Sequence, residues 1–344
     1  MNPIMTSTIL SSLAMGTIIT MSSFHWLFAW MGLELNTLAI IPIIAMQHHP
    51  RATEAATKYF LTQAAASATL LFASTMNAWS TGTWDITQLT NEPACTMLTL
   101  ALSMKLGLAP LHFWLPEVLQ GTSLSTALLI TTWQKLAPIS LLYLTHNTIN
   151  PSMLLAMGLL STILGGWGGL NQTQTRKIMA FSSIAHLGWM ATITTINPDI
   201  LLLNLTLYIA MTTTAFTMLI FTTSKTIKDM TMSWTISPAV TAMMLVVLLS
   251  LGGLPPLTGF MPKWLILQEL TTNNLSMTAT ILALSALLSL FFYLRLSYTS
   301  TLTTFPTSTT NNSKWRFYPK LPTTTLTMML LPALLLLPIT PALT

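Results

Sequence analysis

Apolar stretches of about 20 residues recur from one end of the chain to the other, each long enough to cross a ~30 Å hydrocarbon core as a helix. They fall at roughly 3–22, 25–45, 58–78, 95–117, 123–145, 151–170, 177–196, 200–222, 238–270, 276–299 and 322–342. Lipid offers a bare backbone no hydrogen-bond partners, so runs of this length imply helices. The pattern predicts an all-α polytopic membrane protein with about 11 spans. Two spans should be broken. The fourth carries Gly107-Leu108-Ala109-Pro110 and then Pro116; the ninth is too long for one straight crossing and carries Gly252-Gly253-Leu254-Pro255-Pro256 in its middle. Proline removes a helix hydrogen bond and clashes with the preceding turn.

The polar connections support this span count. On the side of the N-terminus they carry Arg51, Arg176, Lys177, Lys225, Lys228, Lys314, Arg316 and Lys320, with Lys58 and Arg295 at the span ends that open onto them. On the other side they carry Asp85, Glu92 and Asp199 and no Lys or Arg. One-sided basic residues mark the electropositive face of a membrane, and one span more or fewer would scramble them. The N-terminus is expected on that face, the mitochondrial matrix or a bacterial cytoplasm, and the C-terminus across the membrane.

The chain also repeats itself. Gly107-Leu108-Ala109-Pro110-Leu111-His112-Phe113-Trp114-Leu115-Pro116-Glu117 aligns without gaps onto Gly253-Leu254-Pro255-Pro256-Leu257-Thr258-Gly259-Phe260-Met261-Pro262-Lys263. Paired Gly/Pro-interrupted spans in two halves of a chain point to a transport site.

Composition narrows the function classes. Charged residues make up 6% of the 344, against 52% hydrophobic; a soluble domain carries about 25% charged residues. No basic run suits nucleic acid. The single cysteine, Cys95, excludes an intrachain disulfide and a cysteine-built iron–sulfur site. Met1-Asn2-Pro3 lacks a basic signal-peptide start, so the first segment is expected to be a retained span. No phosphate-binding loop, nucleotide fingerprint or Ser–His–Asp motif appears in a plausible context. The chain is therefore expected to carry no cofactor of its own.

Against this background four charges stand out: Glu34 in the second span, Lys105 just before the break in the fourth, Lys135 in the middle of the fifth, and Lys263 just after the break in the ninth. A charge at mid-bilayer costs roughly 2.5–3.5 kcal/mol on insertion scales, so four would cost on the order of 10–14 kcal/mol without partners. Snorkelling to the interface fails for the short Glu34 stem and is weak for lysines two or more turns from a span end. Lysine suits a proton relay because burial and a neighbouring carboxylate act on its proton in opposite senses. Glu34 is the candidate partner of Lys105, with Lys135 next and Lys263 last. His112 and His186 lie inside spans; an unperturbed imidazole has a pKa of about 6.5, which suits a relay, and a satisfied core position fits such a residue as well. Glu117, at the end of the fourth span, reads equally as a relay entry or an interface anchor. His48-His49 are poorly spaced for chelation. Gly165-Gly166-Trp167-Gly168-Gly169 suggests close helix packing, and Trp26, Trp79, Trp84 and Trp234 suggest interfacial anchors.

The segments Trp30–Asn36, Pro50–Gln63, Met104–Gln120, Trp133–Pro138, Gly166–Ser183 and Leu249–Trp264 together resemble the mitochondrially encoded, antiporter-like core membrane subunits of respiratory complex I. The abundant Thr and Met also look like an organelle-encoded vertebrate protein. The resemblance implies two inverted five-helix repeats, 1–146 with its broken helix at 95–117 and 147–300 with its broken helix at 238–270, followed by a polar loop and last helix over 301–344. It implies proton translocation across the mitochondrial inner membrane, driven by quinone reduction elsewhere, with Glu34 and Lys105 as a pair, Lys135 as the central lysine and Lys263 as that of the second repeat. FMN, iron–sulfur clusters and ubiquinone are then expected on other subunits. The expected partners are those subunits, neighbouring antiporter-like ones among them, and membrane lipids, with no nucleic acid. Members of the wider family usually begin with three further helices, whose absence would leave the first repeat dependent on its neighbours. A stand-alone cation/proton antiporter and a non-pumping scaffold, in which buried charges only lock helices together, are the competing readings.

Overall fold

The computed structural model describes residues 2–235, 237–302 and 323–340, with the side chain of Ile339 set aside. Among them every regular element is helical. Lys314, Arg316 and Lys320, counted above toward the basic face, lie outside the described residues.

The chain divides into two compact units, residues 1–164 with 183–198, and 165–182 with 199–344. The first contains α1 (Pro3–Ser22), α2 (Trp26–Ala45), α3 (Pro50–Thr81), α4 (Glu92–Leu106), α5 (Trp114–Gly121), α6 (Leu124–Thr131), a 3-10 turn (Trp133–Lys135) and α7 (Leu136–Leu144). Helices α8 (Pro151–Gly169) and α9 (Thr175–Ile193) run through both units. The second contains nearly all of α10 (Pro198–Phe221), then α11 (Ile227–Met232), α12 (Pro238–Gly252), α13 (Phe260–Thr272), α14 (Ser276–Leu302) and α15 (Thr324–Leu335).

Local chemistry explains the boundaries. Helices α1, α3, α8, α10 and α12 all begin at a proline, where the missing N–H would have had no intrahelical partner. Asn2 and His49 cap α1 and α3 by accepting from the backbone N–H groups of Ile4 and Arg51. The many threonines are tolerated because their hydroxyls bond back to their own helix: Thr17 to the Ala14 carbonyl, Thr20 to Thr17 and Thr212 to Tyr208, at 2.7–2.8 Å.

Among the described residues six segments are long and apolar enough to cross a membrane: Pro3–Ser22, Trp26–Ala45, Leu124–Leu144, Pro151–Gly169, Pro198–Phe221 and Ser276–Leu302. Helix α3 is longer than any of them, but Arg51, Glu54 and Lys58 occupy its first turns. The halves of the fourth and ninth spans are individually short. The fifth span departs from the sequence expectation of one continuous helix: it is split into α6 and α7 by the 3-10 turn at Lys135. Pro138 accounts for the split, since it cannot donate to the Gln134 carbonyl and its ring crowds that carbonyl.

In the first unit α1 packs on α2, α2 on α3, and α3 on α4 and α5. Helices α1 and α2 meet at Gly16 and Gly32, where a Cβ on either would come within 3.0 Å of the other's carbonyl oxygen. In the second unit α12 packs on α14 and α15. There the glycine-rich end of α8 gives the expected close packing, with a Cβ at Gly168 or Gly169 meeting the Phe181 or Phe292 ring. Arg295 clamps the turn after α8 by donating to the Leu170 and Gln172 carbonyls.

Candidate functional site

The two broken spans match at a constant offset of 146 residues. Helix α4 starts at 92 and ends at 106, α12 starts at 238 and ends at 252, and the second half-helices start at 114 and 260. Gly107 and Gly253 both terminate their helices at φ 79°, a left-handed conformation that glycine adopts without penalty. The Ala109-Pro110 and Pro255-Pro256 peptides, aligned in sequence, are both cis. The repeat found in sequence is thus also a repeat of backbone conformation.

Lys105 lies in the last turn of α4, where the helix dipole favours a cation. It is buried, and its ammonium has no hydrogen-bond partner in the protein. It lines a cavity of about 20 Å³ whose wall also includes Asn36 of α2, Tyr59 and Gln63 of α3, Trp114 of α5, and Gln134, Lys135 and Pro138 around the 3-10 turn. Trp114 positions itself here by donating its indole N–H to the Met104 carbonyl at 3.1 Å, a carbonyl freed by the end of α4. Space of that size holds about one water molecule.

Glu34 stands one helical turn before Thr37, on the same helix as the cavity-lining Leu33 and Asn36. Glu34 and Lys105 form no direct ion pair, whereas Lys58 pairs with both Glu54 and Glu117. Glu34 Oε2, both Asn36 amide atoms, Gln63 Nε2 and Lys105 Nζ are buried without a hydrogen-bond partner in the protein. Each such atom left bare costs about 1–3 kcal/mol, or roughly 5–15 kcal/mol together. That is as large as the whole stability of a typical domain, and the chain's own side chains supply no hydrogen bond that offsets it.

Lys135 is buried in the 3-10 turn and faces the same cavity as Lys105. Lys263 is reached differently. It lies in the first turns of α13, beyond the break, and its ammonium donates to the Gly252 carbonyl at 2.8 Å. A cation is thereby held at the C-terminal end of α12. In both broken spans a lysine meets the end of the first half-helix, although the two lysines do not align in sequence.

The remaining candidates separate. His112 is buried in the turn between α4 and α5, with its ring centroid 4.3 Å from that of Phe113. His186 is buried within α9. Glu117 is exposed on α5 and pairs with Lys58 at 2.7 Å; Lys58 also pairs with Glu54 at 2.5 Å, tying α3 to α5. Trp26 is not the interfacial anchor that its place near a span end suggests: it is fully buried, because residues 84–86 fold over the start of α2 through the bonds Trp26 N–H to Trp84 and Ile86 N–H to Phe24. Trp79, by contrast, is 94% exposed. Among the described residues no group of three or more His, Cys, Asp or Glu side chains is placed to hold a metal. The amides Asn36, Gln63 and Gln134 were not singled out from the sequence. Their available signal was uncharged polarity inside apolar spans, weaker than that of a charge.

Broken helices that present buried lysines to a polar, water-sized cavity define the class of antiporter-like ion-translocating membrane proteins. Residues 23–289 match the family described as NADH:quinone oxidoreductase/Mrp antiporter, TM, and residues 290–344 match NADH dehydrogenase subunit 2 C-terminus. The chain belongs to this NADH:quinone oxidoreductase membrane-subunit family. It is 60% identical over 344 residues to NADH-ubiquinone oxidoreductase chain 2 of Salmo salar, covering 100% of this chain and 99% of that one. A chain of respiratory complex I from Thermus thermophilus is 27% identical with a TM-score of 0.80, covering 96% of this chain and 78% of that one. A chain of the Mrp complex from Dietzia sp. shares the fold at 16% identity and a TM-score of 0.77, covering 88% of this chain and 62% of that one.

Proposed function

We propose that the chain is a core membrane subunit of respiratory complex I that takes part in proton translocation across the mitochondrial inner membrane. Electron transfer from NADH to ubiquinone is carried out by other subunits, which hold the FMN, iron–sulfur clusters and quinone, and this chain contributes no redox site. The observation that carries the reading is a set of buried, unpartnered polar atoms: Lys105 Nζ and those of Asn36 and Gln63, on residues lining a water-sized cavity that Lys135 shares, and Glu34 Oε2 on the same helix as Asn36. The cavity lining and its neighbour Glu34 offer two potential cations against one carboxylate. Such a set moves charge by titrating and repels an alkali cation.

In this reading residues 1–146 and 147–300 are inverted five-helix repeats followed by a last helix in 301–344, giving about 11 spans in all. The constant offset between the two breaks supports it. The N-terminus faces the matrix and the C-terminus the intermembrane space, as the one-sided basic loops imply. Protons pass in the order Glu34, Lys105, Lys135, Lys263. His112 and His186 serve as relays, and Glu117, held by Lys58, marks an exposed end of the route.

Two measurements separate the competing readings. The chain should comigrate with NADH dehydrogenase activity on a native gel, which a stand-alone antiporter would not do. Protons translocated per NADH should fall in assembled complexes carrying Glu34→Gln or Lys263→Ala; a scaffold of locked charges would leave that ratio unchanged.

A further inference from the structure

The cavity beside Lys105 is lined by three carboxamides that no charge-based account of the route uses. Asn36 and Gln63 are both buried, and neither amide atom of Asn36 nor Nε2 of Gln63 has a hydrogen-bond partner in the protein. Gln134 reaches across from the 3-10 turn, donating to the backbone carbonyl of Asn36 at 3.4 Å. The Asn36 amide is confined from behind: its oxygen lies 2.5 Å from where a Cβ on Gly16 would stand. All three residues line the cavity together with Lys105 and Lys135.

We propose that Asn36, Gln63 and Gln134 are positioning residues that hold a water between Lys105 and Lys135, so that the proton passes through that water. The inference rests on the proton-translocating reading above. An N–H bond of the Lys105 ammonium breaks as an O–H bond forms on the water. Another O–H bond of the same water breaks as an N–H bond forms on the neutral Lys135 amine, leaving one water as before. Carboxamides suit the task because they donate and accept hydrogen bonds without titrating near neutral pH, so they orient the water without trapping its proton. A carboxylate in the same place would trap it.

The test uses assembled complex in inner-membrane vesicles, with NADH-driven proton translocation measured in light and heavy water. Gln63→Leu and Asn36→Leu should each slow translocation about tenfold, the effect of losing one hydrogen bond at a barrier. The solvent isotope effect should rise. Gln63→Ser, which restores a hydroxyl and leaves room for a second water, should recover most of the rate. Wild-type translocation in both Leu variants would overturn the inference, as would a Ser variant no better than Leu, because the role would then be packing. Where a Leu variant does not assemble, the Ser variant decides: a translocation rate near wild type with a changed isotope effect supports the inference, and an unchanged isotope effect overturns it. Lys105→Ala run in parallel separates the two levels. If Lys105→Ala pumps normally, the function itself is misassigned; if it is inactive while both Leu variants pump normally, only the amide assignment fails.

Discussion

Lys263 reaches back across the break in its span to donate a hydrogen bond to the carbonyl of Gly252, the last residue of α12. The lysine thus satisfies a carbonyl that the helix end leaves open, and the helix dipole in turn favours its charge. Lys105 meets the end of α4 from within the helix and has no such bond. One lysine is anchored and the other is free to turn toward water.

Removing the anchor should therefore cost stability as well as function. Lys263→Ala leaves the Gly252 carbonyl unpaired, at about 1–3 kcal/mol. The assembled complex should melt at a lower temperature than one carrying Lys105→Ala, which breaks no hydrogen bond within the protein. Equal melting temperatures for the two variants would count against the anchoring role.

The turn at Lys135 depends on Pro138. Pro138→Ala lets residue 138 donate to the Gln134 carbonyl and removes a ring that costs a helix interior about 3 kcal/mol. Helices α6 and α7 should fuse, with slower amide exchange at positions 134–138. Lys135 would rotate out of its turn, so proton translocation should fall even as the segment becomes more stable. A variant that gains protection and pumps normally would show that the turn has no part in the route.

The contact between α1 and α2 tolerates no side chain. Gly32→Ala would press a methyl against Thr20 and the Gly16 carbonyl, and overpacking of this kind costs about 1–3 kcal/mol. The yield of assembled complex should drop. Gly82→Ala, at a position with nothing within 4 Å, meets no such contact; its φ of 73° makes its cost one of backbone conformation alone.

Outside the membrane, Thr226 and Asp229 form a capping box at the start of α11. Partial burial would raise the Asp229 carboxyl, but the hydrogen bonds it accepts from Thr226 and Lys225 outweigh that and hold it below the usual range. A carboxyl lowered by folding stabilises the fold above its unfolded value of about 3.9, and that contribution is lost as pH falls through the lower folded value. Thr226→Ala should weaken the cap by about 1 kcal/mol, read as faster amide exchange across Ile227–Met232 at neutral pH. Asp229→Asn should lose protection at neutral pH but match the wild type once the medium is acidic enough to protonate Asp229.

How much of this was legible beforehand depends on the kind of signal. The breaks at Gly107 and Gly253 could be read because Gly and Pro act on the backbone where they stand, and both helix ends fall at the aligned residues. The turn at Lys135 was less visible: Pro138 stands alone in its span, with no glycine beside it to mark a stop. Trp26 was misread because its burial depends on a segment some sixty residues away, Trp84–Ile86, folding over it. The Lys263 bond was hidden for a similar reason, since it depends on how the turn at 253–259 brings α13 back to α12. The amides around Lys105 become conspicuous only once two helices and a turn have brought their residues to one cavity.

The most direct test is the number of protons translocated per NADH oxidised in assembled complex carrying Lys105→Ala, compared with wild type in the same vesicles. A reduced ratio, with the complex intact on a native gel, is the expected result. An unchanged ratio at full NADH oxidation would contradict the assignment of this chain's buried lysine to the proton route.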